Sequence, residues 1–262
     1  MPGVQWDAGA IGNAEWQGVR LSDVLKMAGI TSGAKHVWFE GLDQISDKGE
    51  TFPFGGSIPL DKAMSDTKSI PGCLLAMQMN GKPLSAGHGF PLRTIVPGFI
   101  GARSVKWLSK ITISDRPSAN HYLAHAYKLI SEDTPAAVDA ADPIYEYVLN
   151  SIICTKGPTA PVPGSRVSIK GVALSGGRAG ERLSRVEISV DGGDTWLPTT
   201  ITSPVRDFCW IHWSAEISLT AKQESILVRA TGSSGESQPR ETPWNVKGYQ
   251  YNGWHKVDLK PA

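Results

Sequence analysis

The chain has 262 residues, enough for one large domain or two ordinary ones with a sizeable core. Its 26 basic and 25 acidic residues nearly balance, so no overall field favours nucleic acid or an anionic membrane, and neither is expected as a partner. A hydrophobic content of 40% with 28 Gly and 18 Pro excludes a helical bundle and a disordered chain, and favours a loop-rich, β-rich globular protein.

The beginning of the chain predicts one helix and one strand. The stretch AEWQGVRLSDVLKMAGI, residues 14–30, has apolar side chains at helical spacing, with Ser22 as a candidate cap and Gly29 at a natural stop. AKHVWFEGL is rich in β-forming residues and predicts a strand that ends at Glu40 and Gly41. This part of the chain therefore mixes α and β structure.

Further short elements are expected up to residue 114. SIPLDKAMSD predicts a short strand or loop and then a short helix capped by Asp61. CLLAMQMNGKPL predicts a strand followed by a hairpin-like turn at Asn80-Gly81. LRTIVPGFIGARSVKWLSKITIS predicts two strands, separated by a Pro97-Gly98 turn and a break at Gly101.

The second half of the chain has a different pattern. Residues 114–165 are weakly periodic and rich in Pro, Asp and Ala, which predicts a connection over the surface. Beyond it, alternating strands follow at short, regular spacing, and SVDGGDTW is typical of a hairpin. We therefore predict an α+β domain followed by an antiparallel β-sandwich of the immunoglobulin type.

The strongest candidate site lies in GHGFPLRTIVPGFIGARSVKWL, residues 87–108. It places His88, Arg93, Arg103 and Lys106 among glycines and prolines. Glycine lets backbone N–H groups approach a ligand, Arg offers a planar fork for phosphate and Lys adds a point charge. These groups could form an anion site, but composition alone favours the alternative, solvated basic residues at a strand edge.

Other candidates have weaker patterns. His121 and His125 have the i, i+4 spacing of a helical metal site, but no acidic residue of that motif accompanies them, so no metal ligand is predicted. FEGLD places Glu40 and Asp43 at a strand end, where functional carboxylates and turn-forming carboxylates both occur. The glycines of SGGRAGER lie between strands with no helix to follow, which argues against a phosphate loop.

Cysteine usage and apolar patterning indicate no crosslink and no membrane segment. Cys73, Cys154 and Cys209 are far apart and form no CxxC pair, so neither a zinc site nor a disulfide framework is expected. The opening MPGVQWDAGA lacks the basic and apolar regions of a signal peptide, and no apolar run is long enough to span a bilayer. We expect a soluble chain.

Seven motifs occur in order along nearly the whole chain. They are GAIGNAEWQGVRLSDVL, FEGLD, GSIPLDKAM, MNGKPL, HGFPLRTIVPGFIGARSVKWL, SVDGGDTW and PWNVKGYQYNGWHKVDL. Together they resemble the sulfite oxidase family of molybdenum enzymes. The resemblance implies a partial molybdopterin-binding domain over residues 1–115, a connection over 116–134 and an immunoglobulin-like domain over 135–262 that forms a homodimer.

The resemblance also implies a site for the molybdenum cofactor, that is, molybdenum bound to molybdopterin. The positions that match cofactor-binding residues of the family are Asp43, His88, Arg93, Ser104, Val105 and Lys106. Arg206 lies near the place of a substrate-pocket arginine and is a candidate contact for the substrate anion. Phe54 stands where family enzymes carry an active-site tyrosine, and a phenyl ring can neither hydrogen-bond nor relay a proton.

The family's molybdenum-binding cysteine belongs to a segment that precedes GAIGNA, and none of the three cysteines here has that context. The resemblance therefore implies a chain without the N-terminal half that carries this ligand, with cofactor bound if that half is supplied. It implies oxidation of sulfite to sulfate with water as oxygen source, an external electron acceptor such as a cytochrome, and a location in the mitochondrial intermembrane space, peroxisome or bacterial periplasm. Nitrate reductase, a dehydrogenase of another sulfur compound and a non-catalytic dimerising fragment are the alternatives.

Overall fold

The computed structural model describes residues 6–47, 49–66, 71–155, 164–219 and 223–259. These residues form two compact units. The first unit contains residues 14–147 and 244–249, and the second contains the other described residues. The domain limits at residues 115 and 135 stay a prediction.

The first unit combines short helices with two small antiparallel sheets. In chain order its elements are β1 (Trp16–Arg20), α1 (Leu21–Ala28), β2 (His36–Asp47), β3 (Glu50–Pro59), α2 (Leu60–Met64), β4 (Leu74–Met79), β5 (Lys82–Pro83), β6 (Arg93–Ile95), β7 (Leu108–Ser114), α3 (His121–Ala124) and α4 (Pro135–Ala140). Strand β4 pairs with β1, β5 and β6, and strand β2 pairs with β3 and β7. Helix α1 and both central strands bury apolar residues in one core that includes Leu21, Phe39 and Leu75.

The stretch predicted as a single helix is divided between a strand and a helix. Residues 16–20 pair with β4 as strand β1, and Gly18 lies so close to that strand that a Cβ would be 2.7 Å from the Ala76 Cα. The helix begins only at Leu21, and Ser22 is buried inside it instead of capping it. Asp61 likewise lies inside α2, where it accepts the Lys62 N–H. Both predicted caps were wrong.

The second unit is an antiparallel β-sandwich. Its strands are β8 (Asn150–Ile153), β9 (Arg166–Leu174), β10 (Leu183–Ser189), β11 (Leu197–Pro198), β12 (Thr200–Ile201), β13 (Ile211–Ser218), β14 (Ser225–Gly232) and β15 (His255–Asp258). They form two sheets in the orders β11-β10-β14-β15 and β12-β13-β9-β8. Trp213, Ile188 and Val228 fill the core between the sheets. The predicted fold class, α+β followed by a β-sandwich, is confirmed.

Two further expectations can be compared with this fold. The hairpin turn at Asn80-Gly81 is present between β4 and β5. The stretch predicted as a connection, residues 114–165, contains α3, α4 and also β8, which joins the sandwich by pairing with β9 and burying Ile153. In the described part of the chain, no helix combines the length and apolar character needed to cross a membrane.

Candidate functional site

Three segments of the first unit meet around the predicted cofactor-binding residues, and together they are called the cradle. The bulge, residues 41–43, interrupts the regular pairing of β2 with both neighbouring strands. The turn is the 3-10 turn Ala86–His88, and the loop, residues 104–107, leads into β7. A hydrogen bond of 2.9 Å from the Leu42 N–H to the Trp107 carbonyl joins the bulge to the loop.

Asp43 lies in the bulge with a carboxylate oxygen that has no donor. Among the described residues, no group donates a hydrogen bond to its buried Oδ1. The absence of a side chain at Gly41 makes this packing possible, because a Cβ there would lie 2.9 Å from the Lys106 carbonyl oxygen. A buried acceptor without a donor is unfavourable by about 1–3 kcal/mol, so this oxygen is suited to receive an N–H from a ligand. The predicted strand end at Glu40 and Gly41 was wrong, because β2 resumes its pairing with β3 after the bulge.

Arg93 begins β6 and bridges the turn and the loop. Its Nη1 donates to the His88 carbonyl at 3.1 Å, and its Nη2 donates to the Ser104 carbonyl at 3.3 Å. The guanidinium carbon lies 4.7 Å from the centroid of the Trp16 ring, within the range of a cation–π contact. Burial lowers the pKa of Arg93, but a guanidinium remains charged at neutral pH. A fixed positive charge therefore sits between the turn and the loop.

Lys106 supplies a second positive charge to the cradle. Its Nζ donates to the Gly87 carbonyl at 3.0 Å and lies 4.4 Å from the centroid of the Trp107 ring. Gly89, which follows the turn, has φ of 99° and lies close to the Lys106 side chain. A Cβ at residue 89 would lie 2.9 Å from the Lys106 Cβ. The His88 side chain, at the end of the turn, is exposed.

Ser104 and Val105 fasten the loop to β6. The Ser104 Oγ accepts the Val96 N–H at 3.0 Å. The Val105 N–H donates to the Thr94 Oγ1 at 2.6 Å, and the Val105 carbonyl accepts the Thr94 N–H at 2.9 Å. The Val105 side chain is fully buried in the core of the unit. Its predicted contact with a cofactor, like the contacts of the other cradle residues, stays a prediction.

Arg103 has a different environment from the basic residues on either side of it. Its side chain is buried, with Nε and Nη2 donating to the Ile144 carbonyl and Nη1 donating to the Tyr122 carbonyl at 3.1, 2.8 and 2.9 Å. Burial lowers its pKa to about 10. The sequence placed Arg103 among the possible anion-binding groups, but its donors are used to hold two backbone segments together.

Phe54, at the position of the family tyrosine, belongs to β3. Its ring packs against the ring of Tyr122, with the centroids 4.6 Å apart. Nearby, Phe52, His121, His125 and Tyr249 line a cavity of about 1090 Å³. The rings of His121 and His125 are 5.7 Å apart, and helix α3 contains only four residues. Among the described residues, no group of three or more His, Cys, Asp or Glu side chains is arranged to hold a metal ion.

The remaining candidates, three cysteines and Arg206, are not among the residues that form the cradle. Burial raises the pKa of the Cys73 thiol to about 11 and also raises the pKa values of Cys154 and Cys209, which disfavours the thiolate that binds metals. Arg206 is exposed in the second unit, and its predicted contact with the substrate stays a prediction. Trp16 and Trp107 could not be singled out from the sequence, because a tryptophan close to a basic residue in the chain occurs in binding sites and in ordinary surface packing alike.

Both halves of the chain match known protein families. Residues 1–122 match the family "Oxidoreductase molybdopterin binding domain", and residues 141–262 match "Mo-co oxidoreductase dimerisation domain". The solved structure of the sulfane dehydrogenase SoxCD from Paracoccus pantotrophus is similar with a TM-score of 0.74 and 26% identity, covering 95% of this chain and 63% of that one.

Three relatives of known name each match 98% of the chain. Mitochondrial sulfite oxidase of Mus musculus is 38% identical over 98% of this chain and 48% of its own length, so the chain spans about half of that relative. Nitrate reductase (NADH) 1 of Oryza sativa subsp. japonica is 35% identical over 98% of this chain and 30% of its own length. Sulfite oxidase of Arabidopsis thaliana is 35% identical over 98% of this chain and 70% of its own length. With both domain families matched in order, the chain belongs to the sulfite oxidase family of molybdopterin-binding oxidoreductases, as its motifs predicted.

Proposed function

We propose that this chain forms the cofactor-binding and dimerising part of a molybdenum oxidoreductase that oxidises sulfite to sulfate. The cradle carries the proposal, because it contains the cations of Arg93 and Lys106 together with a buried carboxylate oxygen of Asp43 to which no described residue donates. The reaction balances as SO₃²⁻ + H₂O → SO₄²⁻ + 2H⁺ + 2e⁻. The two electrons pass to an external acceptor such as a cytochrome.

The chemistry of the cradle fits molybdopterin, which has a terminal phosphate and a pterin ring with N–H donors. Arg93 and Lys106 are suited to the phosphate, since charge-assisted bonds to phosphate oxygens are stronger than their present bonds to carbonyls. The Asp43 Oδ1 is suited to a pterin N–H. When bound, the molybdenum cofactor supplies the two-electron redox chemistry and the oxygen transfer.

Phe54 stands where family enzymes carry a tyrosine, so the proton relay of that hydroxyl is missing at this position. Phe54 packs on Tyr122 but has no atom that could take a proton from water. The protons released in the reaction must therefore leave through another group or through solvent. In this proposal Arg206 contacts the substrate anion.

The cofactor assignment is tested on the natural polypeptide, that is, the protein as its own gene encodes it, purified from a host that makes molybdopterin. Oxidation releases a fluorescent pterin, and metal analysis counts molybdenum. We expect both in equal amounts, together with sulfite-dependent reduction of ferricyanide. A protein that contains neither pterin nor molybdenum would refute the proposal and leave the non-catalytic dimerising fragment as the better description.

A dehydrogenase of another sulfur compound is the second candidate. Phe54 favours it, because the missing hydroxyl departs from the family's sulfite-oxidising pattern, and the likeness to a sulfane dehydrogenase structure is consistent with it. Thiosulfate and nitrate are therefore assayed beside sulfite. Nitrate reduction by the loaded protein, with no sulfite oxidation, would instead favour a nitrate reductase.

We further propose a homodimer formed through the second unit. The match of residues 141–262 to a dimerisation domain supports it, and a closed two-fold dimer is the most common assembly for such a domain. The mouse relative is named as mitochondrial, whereas the compartment of this chain stays a prediction.

A further inference from the structure

Trp107 makes a contact with every segment of the cradle. Its carbonyl accepts the N–H of Leu42 in the bulge at 2.9 Å. Its indole Nε1 donates to the Ala86 carbonyl in the turn at 2.8 Å. Its ring lies 4.4 Å from the Lys106 Nζ in the loop. One side chain and its peptide group thus connect three segments that are far apart in sequence.

The backbone of Trp107 is held in an unfavourable conformation. Its φ is 49°, in the left-handed region that bulky residues rarely adopt. The next residue, Leu108, donates its N–H to the Leu92 carbonyl at 2.8 Å, so bonds on both sides of the Trp107 peptide unit fix this conformation. Strained non-glycine residues persist where several surrounding contacts determine them, and they concentrate at functional sites.

The three carbonyls of the turn each accept a hydrogen bond from a different side chain. The pairs are Trp107 Nε1 to Ala86 at 2.8 Å, Lys106 Nζ to Gly87 at 3.0 Å and Arg93 Nη1 to His88 at 3.1 Å. Two of these donors are cations, and an anion in the cradle would attract them because bonds between charged partners are stronger. The indole is uncharged, so an anion offers it no comparable gain and its bond to the turn would persist.

We propose that Trp107 is a positioning residue of the cradle. It keeps the turn and the bulge in place when Lys106 and Arg93 transfer their hydrogen bonds from carbonyls to the phosphate of the ligand. The inference rests on the proposed function, in which that ligand is molybdopterin.

The test compares Trp107→Phe with a matched control. The phenyl ring preserves a face for Lys106 but lacks the N–H, so only the bond to the turn is removed. Trp38→Phe is the control, since the Trp38 Nε1 donates to the Arg116 carbonyl at the same 2.8 Å in the same unit but away from the cradle. Trp107→Leu removes both the N–H and the ring face.

Two quantities are measured on the natural polypeptide. The first is the pterin retained per chain after gel filtration, read from the fluorescence of the oxidised pterin. The second is amide hydrogen exchange at His88 and Gly89, whose N–H groups bond to the Ser85 and Ala86 carbonyls within the turn. We expect Trp107→Phe to lower retention about fivefold and to speed exchange by a similar factor, the effect of losing one neutral hydrogen bond. Trp38→Phe should change neither quantity by more than about twofold.

The outcomes separate this inference from the proposed function. If the wild-type protein retains pterin and Trp107→Phe retains as much as Trp38→Phe, the positioning role is refuted, whatever the exchange rates are. If the wild-type protein retains no pterin, the proposed function falls and this inference with it. Should Trp107→Leu fail to fold, as judged by circular dichroism, the milder Trp107→Phe decides the question.

Discussion

Arg103 offers a quantitative test of how the first unit is held together. Its guanidinium donates three hydrogen bonds to the carbonyls of Ile144 and Tyr122, and its carbon lies 5.8 and 5.5 Å from the ring centroids of Tyr127 and Tyr145. The substitution Arg103→Met keeps an unbranched side chain in the same space but removes every donor. Both carbonyls then lose these partners inside the protein.

The expected loss of stability follows from two opposing effects. A buried carbonyl left without a donor costs about 1–3 kcal/mol. The contact with the Ile144 carbonyl is buried and the contact with the Tyr122 carbonyl is partly buried, so the two together cost at most roughly 6 kcal/mol. Removing a buried cation offsets part of this loss, because the desolvation penalty of the cation disappears. For comparison, replacing a buried ion pair by apolar residues stabilises a protein by up to about 4 kcal/mol. We therefore expect Arg103→Met to lower the free energy of unfolding by about 2 kcal/mol. Arg103→Lys should be no better than Met, since one ammonium keeps the charge but cannot reproduce the planar fork.

Urea unfolding followed by circular dichroism measures these changes. Lys110→Met is the control, because the Lys110 side chain is 65% exposed and makes a salt bridge of 3.3 Å with Glu40, whose side chain is 32% exposed. Removing such a bridge should change the free energy of unfolding by less than about 1 kcal/mol. If Lys restored wild-type stability, the charge and not the fork geometry would be responsible. If Arg103→Met were no more destabilising than Lys110→Met, unpaired carbonyls would not account for the stability that Arg103 provides.

Four other outcomes are expected. Lys106→Ala should lower pterin retention about tenfold or more by removing a charge-assisted hydrogen bond, and unchanged retention would contradict its role. Gly89→Ala should lower the stability measured in urea more than Gly81→Ala does. Both residues have positive φ, but only a Cβ at residue 89 would crowd Lys106, at 2.9 Å from its Cβ. Equal losses of stability would show that this crowding has no effect. Burial lowers the pKa of His255 from 6.5, and its Nδ1 accepts the Ile153 N–H. The unfolded chain therefore takes up a proton at higher pH than the folded chain, so the free energy of unfolding should fall as pH drops below about 6.5. His255→Asn should make the free energy of unfolding less dependent on pH in this range. Light scattering should give twice the chain mass of 28.1 kDa, whereas a monomer mass at micromolar concentration would contradict the proposed dimer.

The sequence by itself predicted the family, the order of its two folds and most of the strands. Alternating apolar residues and turn pairs such as Asn80-Gly81 act over a few neighbouring residues, so their consequences can be predicted without knowledge of distant contacts. The motifs that resemble the family likewise named Asp43, Arg93 and Lys106, although their contacts with a cofactor stay predictions. These features depend on local chemistry or on shared ancestry.

Tertiary contacts decided what the sequence could not. Residues 16–20 have a helical pattern, yet they form a strand because Gly18 allows close pairing with β4, nearly 60 residues further along the chain. Arg93, Arg103 and Lys106 look equivalent in one short motif, but only Arg103 is drawn into the interior, by carbonyls that include one 41 residues away. Burying a charged side chain requires hydrogen-bond acceptors at the right positions, and folding alone brings acceptors from distant parts of the chain together.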